Sequence, residues 1–352
     1  MGASSLQNPG VKDYQHDILQ YLQHMFQQDS LNSFSALNAT LDKLNQAVVR
    51  NEYMAETSRE LSSKVRTQSI ERELIANSIQ QDSALSIFVQ KMITLGFLDR
   101  SYSPVYPPGY YIINDSLKAV YCAIPKNACT LFKTMMVEHS SSANAFTDSE
   151  QNVHQFLDGL ARKVRANHLL NCLTSDEYFK FTVLRDPLNR IVSGYLDKFA
   201  KHPLPEPFVQ DIILEIRSAL GQDADVEKSV TFSEFVDYLV RTPDEQLNDH
   251  WRPQHNFTAA VPFNFIGQFE SIDSVVHTLE DKLSINIRTE VSNHRTQYRA
   301  FDADSSFHTM YPDQLRAIGK MPAAQNFLVP SIREKLRSRY RRDIELYTQA
   351  FS

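Results

Sequence analysis

Apolar residues recur at steps of three and four early in the chain, at Phe34, Leu37, Leu41, Leu44 and Val48. Looser helical spacing continues through Leu61, Val65, Ile70, Leu74, Ile75 and Ile79, and neither glycine nor proline occurs from Val11 to Leu95. A 3.6-residue repeat puts such positions on one face, so the pattern predicts helices. Residues 1–100 are expected to form an all-helical extension that packs on the rest of the protein or joins copies into a homo-oligomer. The regular heptad run is too short to predict a coiled coil. Pro104, Pro107, Pro108 and Gly109 then mark the passage into a second unit, 101–352.

Beyond that point short apolar runs alternate with helical periodicity. Strands are predicted at Tyr110–Ile113, Ala119–Ile124, Phe179–Leu184 and Phe263–Gly267. Helices are predicted from Cys129 to His139, Val153 to Asn171, Pro187 to Phe199, Phe208 to Leu220, Phe232 to Val240, Ile272 to Leu283 and Ser331 to Phe351. The alternation predicts an α/β domain with a parallel sheet flanked by helices. Hydrophobic residues at 42% and charged residues at 22% of 352 are ordinary for a globular chain. A net charge of −6 argues against a general nucleic-acid binder, so any anion site must be a local basic pocket. Three cysteines without framework spacing suit a reducing compartment. No apolar run is long enough to span a membrane, and no secretory leader is visible. The expectation is a cytoplasmic protein, with the basic last helix offering at most peripheral contact with a membrane.

Two stretches carry chemistry. The run Ala119–Ile124 leads into Pro125-Lys-Asn-Ala-Cys-Thr-Leu131, a buried strand entering a tight turn and then a helix. A helix N-terminus has unpaired N–H donors and a partial positive charge, so this turn is a candidate anion cradle. Lys126 adds a mobile charge and Thr130 a hydroxyl. The second stretch follows Phe179–Leu184 as Arg185-Asp-Pro-Leu-Asn-Arg-Ile-Val-Ser-Gly-Tyr195. Asp186 suits the N-cap and Pro187 the first helical position. Arg185 then lies at a strand's C-terminal end, where open α/β folds bind ligands, and Ser193 lies two turns along. Together they suit a phosphate group; Arg190 suits either the same ligand or a surface salt bridge.

Ile124-Pro-Lys-Asn-Ala-Cys-Thr130 resembles the phosphosulfate loop of sulfotransferases that use PAPS (3′-phosphoadenosine 5′-phosphosulfate). Val183–Tyr195 resembles their 3′-phosphate motif. Asn248-Asp-His-Trp-Arg-Pro-Gln254, with Phe263–Glu270 after it, is similar to a segment of the carbohydrate sulfotransferases of the chondroitin/dermatan 4-O type. The resemblance covers about Tyr110 to Tyr347. It implies a P-loop-NTPase-like fold and transfer of a sulfuryl group from PAPS to a hydroxyl, most naturally of a carbohydrate or glycoconjugate. It also implies that Pro125, Lys126, Asn127, Ala128, Cys129, Thr130 and Leu131 hold the 5′ end of the donor. Arg185, Arg190 and Ser193 would hold the 3′-phosphate, and Lys126 would offset charge on the leaving group.

An acceptor hydroxyl must lose a proton, and histidine is the usual base near neutral pH. His250, beside the Asp249 carboxylate, and His168, 17 residues before Arg185, are the main candidates. His154 and the carboxylates Asp197 and Glu270 stay open. Trp251 and Arg252 suit either an acceptor cleft or the core, and Arg295 and Arg299 suit closure over the nucleotide. No metal is expected, since no zinc or di-metal spacing occurs. The Golgi enzymes of the resembling group carry a membrane anchor and a cysteine pair that this sequence lacks, which points to a cytoplasmic, bacterial enzyme. Two other readings stand beside sulfuryl transfer: a nucleotide kinase or phosphotransferase, disfavoured because GxxxxGK[ST] is absent, and an idle nucleotide-binding scaffold.

Overall fold

The computed structural model describes residues 90–96, 110–141, 143, 153–154, 156–157, 166–289, 298–301 and 306–352. Most of the predicted helical extension, the linker prolines and Arg295 lie outside them. The chain divides into two compact units. Among the described residues the first holds 90–96, 166–175 and 259–261; the second holds the rest.

The second unit is built on a four-stranded sheet: β1 Tyr111–Asn114, β2 Ala119–Cys122, β3 Phe179–Leu184 and β4 Phe265–Gln268, in that order. β2, β3 and β4 run parallel, while β1 pairs antiparallel with β2 through Asn114↔Ala119. The expected parallel sheet therefore has one antiparallel edge. The reason is length, because the few residues between β1 and β2 make a hairpin, whereas a parallel crossover needs a dozen or more. β4 starts later than its apolar run predicts. Asn264 is already tied to Lys180 of β3, through its own N–H at 2.8 Å and through its Oδ1 accepting from Lys180 N at 2.7 Å.

Helices Cys129–Glu138 and Ile272–Leu283 pack against the sheet in a core that includes Tyr121, Phe132, Phe181, Val275 and Leu279. Contact is close at Gly267, where a Cβ would come within 2.8 Å of Val275. A second core joins helix Pro187–Tyr195 to Phe232–Arg241 and Pro330–Arg339 through Tyr195, Phe199, Phe235, Trp251 and Leu336. Trp251 is fully buried there, edge-on to Phe235, so it belongs to the core and not to a cleft. Helix Pro187–Tyr195 runs on as a π-helical turn, Leu196–Ala200, closed by Lys201 N donating to Leu196 O at 2.9 Å.

The predicted closing helix is two, Pro330–Arg339 and Arg341–Phe351, broken at Tyr340. Tyr340 is itself buried and donates its hydroxyl to Trp251 O at 2.6 Å. The break brings the fully buried Asp343 carboxylate onto the backbone N–H groups of Gln254 (2.6 Å) and His255 (2.9 Å).

In the first unit, helix Ala166–Thr174 is tied to residues 90–96 by Lys91 Nζ donating to Asn171 Oδ1 at 2.6 Å. The predicted helix from Val153 to Asn171 is seen only in part; residues 158–165 lie outside the described chain.

Candidate active site

The loop between β2 and helix Cys129–Glu138 turns without glycine. Lys126 (φ 71°) and Ala128 (φ 57°) both adopt the left-handed conformation, which costs roughly 1–2 kcal/mol for each such residue. Buried hydrogen bonds hold it there. Asn127, fully buried, donates from Nδ2 to Val183 O (2.8 Å) and to Gln254 Oε1 (2.6 Å). Arg190 Nε donates to Pro125 O and Arg185 Nη1 to Lys126 O, each at 3.0 Å. The helix then starts at Ala128 with no side-chain cap, which leaves its leading N–H groups for a ligand. Donors of this kind, with Lys126, Thr130 and Arg185 around them, fit an anionic group. Leu131 meets this site only by its backbone, since its side chain lies in the core.

Arg185 is the first residue beyond β3, as Lys126 lies just beyond β2. Because those strands are parallel neighbours, the two cations share one edge of the sheet. The Arg185 backbone is clamped by Gln254, whose Oε1 accepts from Arg185 N at 3.0 Å and whose Nε2 donates to Arg185 O at 2.8 Å. Its guanidinium lies 4.2 Å from the ring centre of Phe269. Asp186 caps the next helix, accepting from Asn189 N at 2.8 Å, with Pro187 at the first position. Ser193 is buried on that helix.

Arg190 departs from the surface salt bridge expected of it. Only 1% exposed, it makes no surface salt bridge, and three of its nitrogens donate to main-chain carbonyls: Nε to Pro125, Nη1 to Arg252 (2.8 Å) and Nη2 to Asp249 (2.9 Å). Burial lowers its pKa to about 10, with the Asp343 carboxylate pulling the other way. It binds the anion loop to the 249–252 segment.

Lys126 Nζ sits 3.1 Å from Asp197 Oδ2, in the π-helical turn. Burial pushes the Lys126 ammonium below the ordinary lysine range, and Asp197 opposes that shift. Burial would raise the Asp197 carboxyl, but Lys126, Lys198 and Lys201 together hold it below its ordinary value. A helix that ran on without the π turn would not present Asp197 in this way, and no sequence signal marks a π turn.

His250 is oriented by Asn248, not by Asp249 as adjacency suggested; Asp249 pairs instead with Arg252 at 2.9 Å. Asn248 Oδ1 accepts from His250 N (3.1 Å) and lies 2.7 Å from His250 Nδ1. A backbone N–H only donates, so the facing atom is the amide oxygen and Nδ1 carries the ring proton. Nε2 is left with its lone pair. Burial first, then Lys198 and Lys126, lower the His250 pKa to about 3. The unfolded chain, near the ordinary 6.5, therefore takes up this proton first as pH falls, so His250 withdraws stability progressively from about pH 6.5 towards 3. Urea unfolding at pH 7 and pH 5 should show His250→Gln losing less stability than the parent chain over that interval; an equal loss would mean the histidine titrates normally.

The other candidates divide. Glu270 is committed, accepting from Asp186 N at 2.9 Å and from the Tyr347 hydroxyl at 2.8 Å. His154 reaches Thr130, with Nε2 3.2 Å from Oγ1. His168 lies in the first unit, where its ring is 3.8 Å from Cys172 Sγ. Arg299 stacks near Phe301, 5.2 Å from the ring centre. Asn127, Gln254 and Asp343, the buried network under the loop, were not marked by any sequence pattern as a unit.

A profile described as the sulfotransferase family matches residues 109–350. Among similar proteins is carbohydrate sulfotransferase 14 of Danio rerio, 27% identical over 54% of this chain and 52% of its own. Carbohydrate sulfotransferase 14 of Homo sapiens is 27% identical over 47% of this chain and 44% of its own. Carbohydrate sulfotransferase 10 of Xenopus laevis is 25% identical over 79% and 75%. The chain thus spans about half the length of the first two. No solved structure matches with comparable significance. These vertebrate relatives, all carbohydrate sulfotransferases, overturn the expectation of a cytoplasmic, bacterial enzyme. Among the described residues no helix is long and apolar enough to cross a membrane. With a profile match over most of its length, a span that includes the loop and helix following β2 and β3, the chain belongs to the sulfotransferase family.

Proposed function

We propose that this protein transfers the sulfuryl group of PAPS to a hydroxyl of a carbohydrate or glycoconjugate, on a P-loop-like α/β domain. The observation that carries the reading is the pair of basic positions, Lys126 and Arg185, at the ends of adjacent parallel strands around an uncapped helix start. PAPS supplies an activated sulfuryl group between two anionic ends. The loop Pro125–Thr130 takes the 5′ end, and Arg185 with Ser193 takes the 3′-phosphate. Lys126 offsets the charge that grows on the leaving oxygen, and to do so it exchanges Asp197 for the nucleotide. Arg190 holds the loop and does not touch the ligand.

The base is His250. Its Nε2 lone pair receives the acceptor proton, and Asn248 keeps the ring in that tautomer. A group at about 3 is a weak base, and a bound polyanion beside Lys126 and Lys198 raises it by offsetting the two cations that add to the effect of burial. His168 is the competing base. Turnover of His250→Ala and His168→Ala at saturating PAPS decides between them.

The donor preference tests the reading as a whole. Thermal unfolding should shift upward with PAP (adenosine 3′,5′-bisphosphate), more than with ATP or GTP at equal concentration, and labelled sulfate should pass from PAPS to a member of a glycan panel. A larger shift with ATP would favour a phosphotransferase. Binding of PAP without transfer to any acceptor would favour the scaffold.

A further inference from the structure

Thr130 places a hydroxyl at the start of the anion loop's helix, and which way its hydrogen points decides whether it donates to a ligand. Two neighbours settle which way it does not point. The Lys133 ammonium has donors only, and its Nζ lies 3.1 Å from His154 Nδ1, so Nδ1 accepts and the ring proton is on Nε2. Nε2 lies 3.2 Å from Thr130 Oγ1 and therefore donates to it. A hydroxyl that accepts on one side keeps its own hydrogen for a different partner.

The arrangement is built into the fold. Thr130 and Lys133 are three residues apart on helix Cys129–Glu138, hence neighbours on its surface. His154 is held over them because Val153 and Leu157, on either side of it, are buried against Val137 of the same helix. The ring bridges a cation and a hydroxyl, and hydrogen bonds in such a chain polarise one another.

We propose that His154 is a positioning residue for the donor: with Lys133 on one ring nitrogen and Thr130 on the other, it makes the Thr130 hydroxyl a committed hydrogen-bond donor to the 5′ end of the nucleotide. The proposal rests on the sulfotransferase reading. It sets His154 apart from the base, since neither ring nitrogen is left to take the acceptor's proton.

Calorimetric titration with PAP and with adenosine 3′-phosphate, which lacks the 5′ group, tests it. His154→Ala should weaken PAP about tenfold, the worth of roughly one hydrogen bond, and leave adenosine 3′-phosphate unchanged. His154→Gln should recover most of the loss, because its amide can donate to Thr130 and its carbonyl can accept from Lys133. His154→Ala combined with Thr130→Ala should bind PAP no more weakly than Thr130→Ala alone. Lys133→Met should give a smaller loss of the same selectivity, and it keeps the proposal falsifiable should His154→Ala not fold. Equal weakening of both ligands would overturn the proposal in favour of a merely structural histidine. Unchanged PAP binding with collapsed kcat would overturn it in favour of a catalytic base. If the parent chain binds no PAP, the sulfotransferase reading fails and takes this proposal with it; tight parental binding untouched by His154→Ala sinks this proposal alone.

Discussion

Replacing Lys126 by alanine should leave the protein folded and lower kcat by about 10²–10³-fold, with a much smaller effect on KM for the donor. Removing one preorganised donor at a site of developing charge costs about 2.7–4 kcal/mol of transition-state stabilisation. The fold should survive because Lys126 is anchored by its backbone, whose carbonyl accepts from Arg185, while its ammonium meets only a part-exposed carboxylate, Asp197. Its left-handed φ of 71° is no harder for alanine than for lysine, since both carry a Cβ. Single-turnover transfer from PAPS isolates the chemical step. A variant with parental single-turnover rates would remove Lys126 from the reaction.

Arg190→Met should be the more damaging substitution to the fold. Methionine fills part of the volume but donates nothing, leaving the part-buried carbonyls of Pro125, Arg252 and Asp249 without this partner. At about 1–3 kcal/mol for each unsatisfied buried group, and allowing for relaxation, the loss is about 4 kcal/mol. Because one of those carbonyls belongs to the anion loop, donor binding should weaken in the fraction that stays folded. Urea denaturation reads the first effect and PAP titration at low urea the second. Lysine would not rescue it, since one ammonium does not span three carbonyls as the guanidinium fork does. A loss below about 1 kcal/mol would mean the three bonds are not made in solution.

Much of this was legible before the structure. Phe179–Leu184 and Ile272–Leu283 fall where the apolar pattern put them, because both are bounded by strong signals: Asp186-Pro187 after the first, and strict helical spacing within the second. The Asp186 cap and the Pro187 start were equally plain. What escaped is what depends on partners distant in sequence. The break at Tyr340 depends on burying one ring against the Trp251 carbonyl, 89 positions away. The Asn127–Gln254–Arg185 clamp joins residues 127 and 69 positions apart, and no local pattern announces such contacts. Arg190 suited a surface salt bridge because sequence spacing gives the face of a helix and not what covers it. Asn248 in place of Asp249 as the partner of His250 is the same lesson at a separation of two residues.

The central claim is that one adenosine nucleotide is gripped at both ends from a single sheet edge. Its most direct measurement is the affinity of the parent chain and of Arg185→Ala for PAP and for adenosine 5′-phosphate, by calorimetry at fixed salt. The parent chain should bind PAP at least tenfold more tightly, as one or more charge-assisted hydrogen bonds imply, and Arg185→Ala should erase that preference. Equal affinity of the parent chain for the two nucleotides, or a preference that survives loss of Arg185, would contradict the account.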